Sequence, residues 1–227
     1  MSPALQLALI LLAWGTLVGL DLVSVPQMMI ARPIVAGPIA GAILGDVPTG
    51  LQLGVLFELF QYDILPVGAV RYPEYGPATI AAVSAAHAAA GTLGLGVGAV
   101  VGLITALVGG ASLRVVRRLN TRAVHRAAAA LEIGEPRTLE RLHVAGILRD
   151  AARAAVVTAV GLALAQLARD YLVGTLSPRG IVLLNVAAVG PALAAGTAGT
   201  LRLVGRGPGL RWFAAGLVGG AAVVWLR

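Results

Sequence analysis

What most constrains this chain is a succession of apolar runs long enough to cross a lipid bilayer. They fall at approximately 4–20, 78–113, 154–174, 180–201 and 210–226, and a spanning helix needs about 20 mostly apolar residues. With a mean hydropathy of +0.89 and only 12% charged residues among 227, the chain lacks the polar surface to coat a water-soluble globule. The expectation is an all-α, polytopic membrane helix bundle forming a single integral unit. The first run sits where a secretory leader would, but it has no basic n-region and further apolar runs follow, so it reads as a retained span. The second run is long enough for two spans. Its glycines, among them Gly91, Gly94, Gly96, Gly102 and Gly109, predict a turn near 91–96 between closely packed antiparallel helices.

Between the first two runs the pattern changes. From about 21 to 77 the apolar stretches are broken by Pro26, Pro33, Pro38, Pro48, Pro66, Pro73 and Pro77, with Gly37, Gly41, Gly45 and Gly50 among them. Proline removes a backbone donor and clashes with the preceding turn. Irregular backbone survives at membrane depth only when buried in protein or lining a wet cavity. This segment therefore predicts short broken or re-entrant helices of the kind that build transporter sites.

All 17 basic residues are arginine, and nine of them lie between Arg114 and Arg153. The positive-inside rule places that stretch, about 114–153, on the cytoplasmic side as an Arg-rich connector. Its charges recur at three-to-four spacing, which predicts surface helices interrupted at Gly134 and Pro136. The net charge of +7 suits a membrane surface and not a nucleic acid, because the arginines are not interleaved with stacking aromatics.

Several chemistries are excluded. No cysteine is present, so there is no disulfide framework, thiolate metal site or cysteine nucleophile. His87, His125 and His143 stand apart without metal-ligand spacing, and no metal or cofactor is expected. The Gly94, Gly96, Gly98 series lacks a βαβ context, and without lysine there is no phosphate-gripping P-loop. Energy for any transport has to come from elsewhere.

The residues that could carry function sit in the broken segment. Charges at membrane depth cost about 2.5–3.5 kcal/mol on insertion scales, so they usually serve a pathway or a partner. Glu58, in VLFELF, needs donors, and vicinal sugar hydroxyls supply well-directed ones; a structural ion pair is the alternative. Gln27 offers both donor and acceptor atoms to an uncharged polyhydroxylated ligand, or caps a helix end. Asp63, Arg71 and Glu74 read either as site residues or as interfacial loop residues. Arg32 and Pro33 set a helix boundary, with Arg32 anchoring a head group or a carboxylate, and Asp46 reads as an N-cap or turn residue.

The motifs RPIVAGPIAGAILGD, GLQLGVLFELF and VGAVRYPE, in that order, resemble the IIC subunit of mannose/fructose/sorbose-type phosphotransferase permeases. The resemblance is strongest over 24–90 and returns faintly at LLNVAAVGPALAAG. It rests on Arg32 and Pro33, on Leu44, Gly45 and Asp46, on Gly54 to Glu58, on Gly68 and Ala69, and on Pro73 with Glu74. It implies a bacterial cell-membrane protein that pairs with a IID subunit and takes up a hexose. A cytoplasmic IIB protein, charged by IIA, would phosphorylate that hexose, so no phosphoryl chemistry would lie in this chain. A higher oligomer is also expected.

The resemblance matches Glu58 to the family's carboxylate near the sugar path and extends to Gln27. Asp63 and Glu74 complete the expected substrate contacts, while Arg32, Pro33, Gly45, Asp46, Gly54, Gly68 and Pro73 are the expected structural motif. Departures from the family pattern are Tyr62 and Asp63 after the glutamate, the added Pro66, and Glu74 in place of aspartate. Asp63 then either binds an amino sugar or pairs with Arg71. Two other readings compete with transport: a non-transporting scaffold subunit, and an intramembrane enzyme using Glu58, Asp63 and His87.

Overall fold

The computed structural model describes residues 2–62, 64, 72–88 and 94–204, with positions 211, 215 and 218. Asp63, Pro66, Gly68, Ala69, Arg71 and Gly91, and nearly all of the expected span at 210–226, lie outside the described residues. Among the described residues every regular element is a helix.

Helix α1 (Pro3–Asp21) starts on Ser2, whose hydroxyl accepts from the Leu5 amide at 3.3 Å. Helix α2 (Pro33–Leu44) starts behind an extended Arg32 and stops on Gly45, which is left-handed at φ +76°. Two residues later α3 (Val47–Gln61) begins, with the Asp46 carboxylate accepting from the Thr49 amide at 3.2 Å. Then come α4 (Tyr75–Ala88), α5 (Leu95–Arg126), α6 (Ala128–Glu132), α7 (Pro136–Leu167) and α8 (Pro178–Val204). A π turn over Ala168–Leu172 prolongs α7.

Among the described residues, four helices are long and apolar enough to cross a membrane: α1, α5, α7 with its π turn, and the first 20 residues of α8. The chain is thus a multi-pass membrane helix bundle. Helices α2 and α3, of 12 and 15 residues, are too short to cross. They fold into a hairpin instead; Pro38, expected to break the chain, is accommodated inside α2, which ends only at Gly45. The two backbones touch: a methyl group built on Gly41 would stand 3.0 Å from the Gly50 Cα, closer than packed carbons approach.

The long apolar run at 78–113 does not make two spans. Helix α4, at 14 residues, is about 21 Å long against a hydrocarbon thickness of about 30 Å. It is the buried centre of the bundle, packing against α1, α2, α3, α5 and α7, with Ile80, Ala82, Val83 and Ala86 all at 0% exposure. Around it Leu53 and Phe57 from α3 fill the core, and Phe57 and Phe60 cluster with Tyr75.

The arginine-rich stretch is continuous with the spans. Helices α5 and α7 have 32 residues each, about 48 Å, so they overshoot the bilayer and carry the arginines on their extensions. The interruption comes at Gly134, left-handed at φ +74°, followed by Pro136 at the first turn of α7, where a missing amide costs nothing.

Candidate functional site

The site begins with a cap. Asp21 ends α1 and is 3% exposed, yet both of its carboxylate oxygens are satisfied, by the Met28 amide at 2.6 Å and the Ala31 amide at 2.9 Å. A buried carboxylate needs such donors. The two bonds fold residues 22–31 back over the end of α1 and hold Gln27 and Met29 at φ +60° and +64°. Side chains pay for that left-handed backbone, and the Asp21 bonds offset the cost.

This loop forms one wall of a cavity of about 440 Å³, lined by Asp21, Leu22, Gln27, Met29, Ala31, Arg32, Gln61, Tyr62 and Ile64. Its size falls in the usual range for ligand pockets, about 300–1,000 Å³. The loop and the start of α2 contribute Gln27 and Arg32, and the end of α3 contributes Gln61 and Tyr62. Besides the Asp21 carboxylate, engaged by the loop amides, the polar lining is two amides, a guanidinium and a phenol, a set that hydrogen-bonds hydroxyls as both donor and acceptor.

Glu58 stands one shell back. Its carboxylate is ion-paired with the Arg32 guanidinium and accepts from the Ile34 amide at 3.2 Å. It thus satisfies a free amide at the start of α2 and favours the positive end of that helix. Its side chain is 16% exposed against 44% for Arg32, so Glu58 lies behind the guanidinium that lines the cavity. Two carboxylate oxygens carry about four lone-pair directions, so these two partners leave capacity for a ligand.

Glu74 lies elsewhere. It is fully buried, and Arg153 on α7 grips it bidentately, with one arm at 3.0 Å. The same guanidinium donates through Nε to Asp150 at 2.7 Å and through Nη2 to the Gly19 carbonyl at 3.1 Å. Asp150 in turn accepts from the Ser24 hydroxyl at 2.5 Å. The Glu74 amide donates to the Ala106 carbonyl at 2.9 Å. This network ties α1, the 22–31 loop, the start of α4, α5 and α7 together without touching the cavity.

His87 makes a 3.2 Å contact through Nδ1 with Asp46 at the α2–α3 turn. The structure thus gathers Gln27, Arg32 and Glu58 and sets Glu74 and His87 apart. Sequence reasoning missed Asp21, Gln61, Asp150 and Arg153 as organising residues. An aspartate at the very end of an apolar run, and an Asp-x-x-Arg pair bordering another, were the available signals.

The comparisons with known proteins agree with this architecture. The chain matches the family described as PTS system sorbose-specific IIC component over residues 4–224. It is 32% identical over 116 residues to the PTS system sorbose-specific EIIC component of Klebsiella pneumoniae, covering 51% of this chain and 43% of that protein. It is 29% identical over 129 residues to the fructose permease IIC component of Bacillus subtilis, covering 57% and 47%. The matched stretches therefore span less than half the length of these relatives. Among solved structures, the cryoEM structure of mannose transporter ManYZ with microcin E492 aligns with a TM-score of 0.62 at 21% identity, covering 97% of this chain and 88% of that one. A second, described only as a membrane protein, aligns with a TM-score of 0.71 at 21% identity, covering 97% and 87%. Both share this fold.

Proposed function

The chain belongs to the family of PTS sorbose-specific IIC components, and from that premise we propose that it is the sugar-translocating membrane subunit of a phosphoenolpyruvate-dependent permease. It binds a hexose in the cavity bounded by the 22–31 loop and the end of α3, and passes it to a cytoplasmic IIB phosphoryl donor. A IID subunit is its membrane partner, and the arginine-rich helix ends face the cytoplasm. The observation that carries this reading is the cavity itself: about 440 Å³, walled by broken-helix residues and lined by Gln27, Arg32 and Gln61, with Glu58 held behind Arg32.

In this reading Glu58 and Gln27 bind sugar hydroxyls, Glu58 after partial release from Arg32. Asp63, outside the described residues, joins them in this reading on the strength of the sequence alone. Glu74 holds the bundle together through Arg153 rather than meeting the substrate. The α2–α3 hairpin, packed backbone to backbone, shifts as one piece when the site changes the side it faces.

The test is phosphoenolpyruvate-dependent uptake of labelled hexoses in cells carrying this chain with its cognate IID and IIB proteins. Glu58→Gln and Gln27→Ala are expected to lower uptake of the transported sugar at least tenfold at unchanged membrane abundance. Full uptake in both variants would refute the proposed site. A wild type that assembles with its partners and moves no hexose would refute the function.

A further inference from the structure

A second cavity, at the arginine-rich end, shares none of its lining residues with the first and meets it only across the 22–31 loop. It measures about 270 Å³ and lies between the extension of α5, the start of α7 and the loop after α1. Its polar lining is Ser24 from the loop, Asn120 from α5, and His143 and Arg149 from α7. Gly146 leaves one side bare: the nearest atom to a methyl group built there is the Asn120 side-chain nitrogen, 3.9 Å away.

The hydrogen bonding gives this cavity a polarity. Arg149 donates through Nη1 to the Asn120 amide oxygen at 2.9 Å. That bond occupies the acceptor of the amide, leaving its NH2 group to donate, and it fixes the plane of the guanidinium. Ser24 commits its proton to Asp150, and the charge of Asp150 is met by Arg153 on the far side. What remains around the space is a half-buried guanidinium, an amide NH2 and an imidazole. Arg114, Arg118 and Arg122 on α5 and Arg137 and Arg141 on α7 add to the positive potential at this end of the molecule.

Several convergent donors around a planar guanidinium match a tetrahedral oxyanion with more than one acceptor oxygen. We propose that this cavity, formed by Ser24, Asn120, His143 and Arg149, is a binding site for a phosphate group. Two sources share that chemistry: a soluble phosphate monoester, and the head group of an anionic phospholipid. The soluble source fits a hexose phosphate released at this face, an assignment that rests on the proposed function; the phosphate site itself does not.

The experiment uses the purified full-length chain. Inorganic phosphate and a hexose 6-phosphate are titrated in detergent, with the unphosphorylated hexose as control. In parallel the chain is reconstituted in nanodiscs of phosphatidylcholine with and without phosphatidylglycerol, and lipid retention is read by native mass spectrometry. Saturable binding of the hexose phosphate, or selective retention of phosphatidylglycerol, is expected, and which of the two occurs names the source.

Arg149→Gln is expected to weaken that binding at least tenfold. Asn120→Asp keeps and strengthens the bond to Arg149, so it should fold normally, yet it should abolish binding by placing a negative charge in the cavity. Binding in neither arm, or binding that both variants leave unchanged, overturns the proposal. Because no uptake is measured, a failure here is distinct from a failure of the sugar site.

Discussion

Arg153 and Glu74, 79 positions apart in sequence, form a bidentate ion pair inside the bundle, with side-chain exposures of 4% and 0%. Removing one partner of such a pair leaves an uncompensated buried charge, at a cost of roughly 3–5 kcal/mol. Arg153→Met strands both Glu74 and Asp150, whereas Glu74→Gln leaves Arg153 with Asp150. Thermal unfolding in detergent should therefore rank wild type above Glu74→Gln and Glu74→Gln above Arg153→Met. Equal loss in the two variants would mean that Asp150 gains nothing from Arg153.

The second expectation concerns Arg32 and Glu58. Exchanging them, as Arg32→Glu with Glu58→Arg, preserves an ion pair at the edge of the cavity but reverses its direction. The double variant should reach the membrane at near wild-type abundance and still transport at least tenfold less sugar. Recovery of uptake with the swap would show that only the pairing matters and that Glu58 has no ligand to meet.

Backbone contact between α2 and α3 gives a third. A methyl group on Gly50 would stand 2.9 Å from the Gly41 Cα, and overpacking of this kind typically costs about 1–3 kcal/mol. Gly50→Ala should lower the unfolding temperature, while Ala substitution of Gly190, which has open space around it, should not. The comparison holds residue type constant, so it isolates the helix contact.

Asp46 supplies a pH dependence. Burial alone would raise its pKa, but hydrogen bonds from Thr49 and His87 outweigh that and leave the carboxyl below its ordinary value. A carboxyl depressed in the folded state adds stability that is complete above the ordinary value, about 3.9, and is lost as pH falls through the folded value. Asp46→Ala should thus cost about 1 kcal/mol at neutral pH as a lost helix cap. At a pH low enough to protonate the carboxyl, the difference from wild type should shrink, as measured by unfolding across an acid series.

The legible parts of this fold are those with local causes. The broken region follows from the proline spacing, the end of α2 from Gly45, the start of α3 from Asp46 ahead of Val47 and Pro48, and the break before α7 from Gly134 and Pro136. Apolar character, by contrast, does not distinguish a helix surrounded by protein from one surrounded by lipid. The short Ala-rich α4 therefore read as part of a spanning run. The boundary between the arginine-bearing and spanning parts of α7 lies inside one unbroken helix, so Arg153 read as the last residue of a connector. Glu74 seemed to offer itself to a ligand because its partner comes from α7, a pairing that only the tertiary packing of α7 against α1 and α4 brings about. The wall of the candidate site, closed by Asp21 through two backbone amides, leaves no periodic trace at all.

One loop borders two compartments. Val23 and Ser24 belong to the arginine-end cavity, and Leu22 and Gln27 to the amide-lined one, with Asp21 and Asp150 fastening the segment at both ends. A displacement of that segment would alter both volumes together, so ligands that shifted it would be coupled. Linkage is reciprocal: if loading the first compartment weakens the second by some factor, loading the second must weaken the first by the same factor. A partition held this tightly would let departure of one occupant reset the affinity for the next.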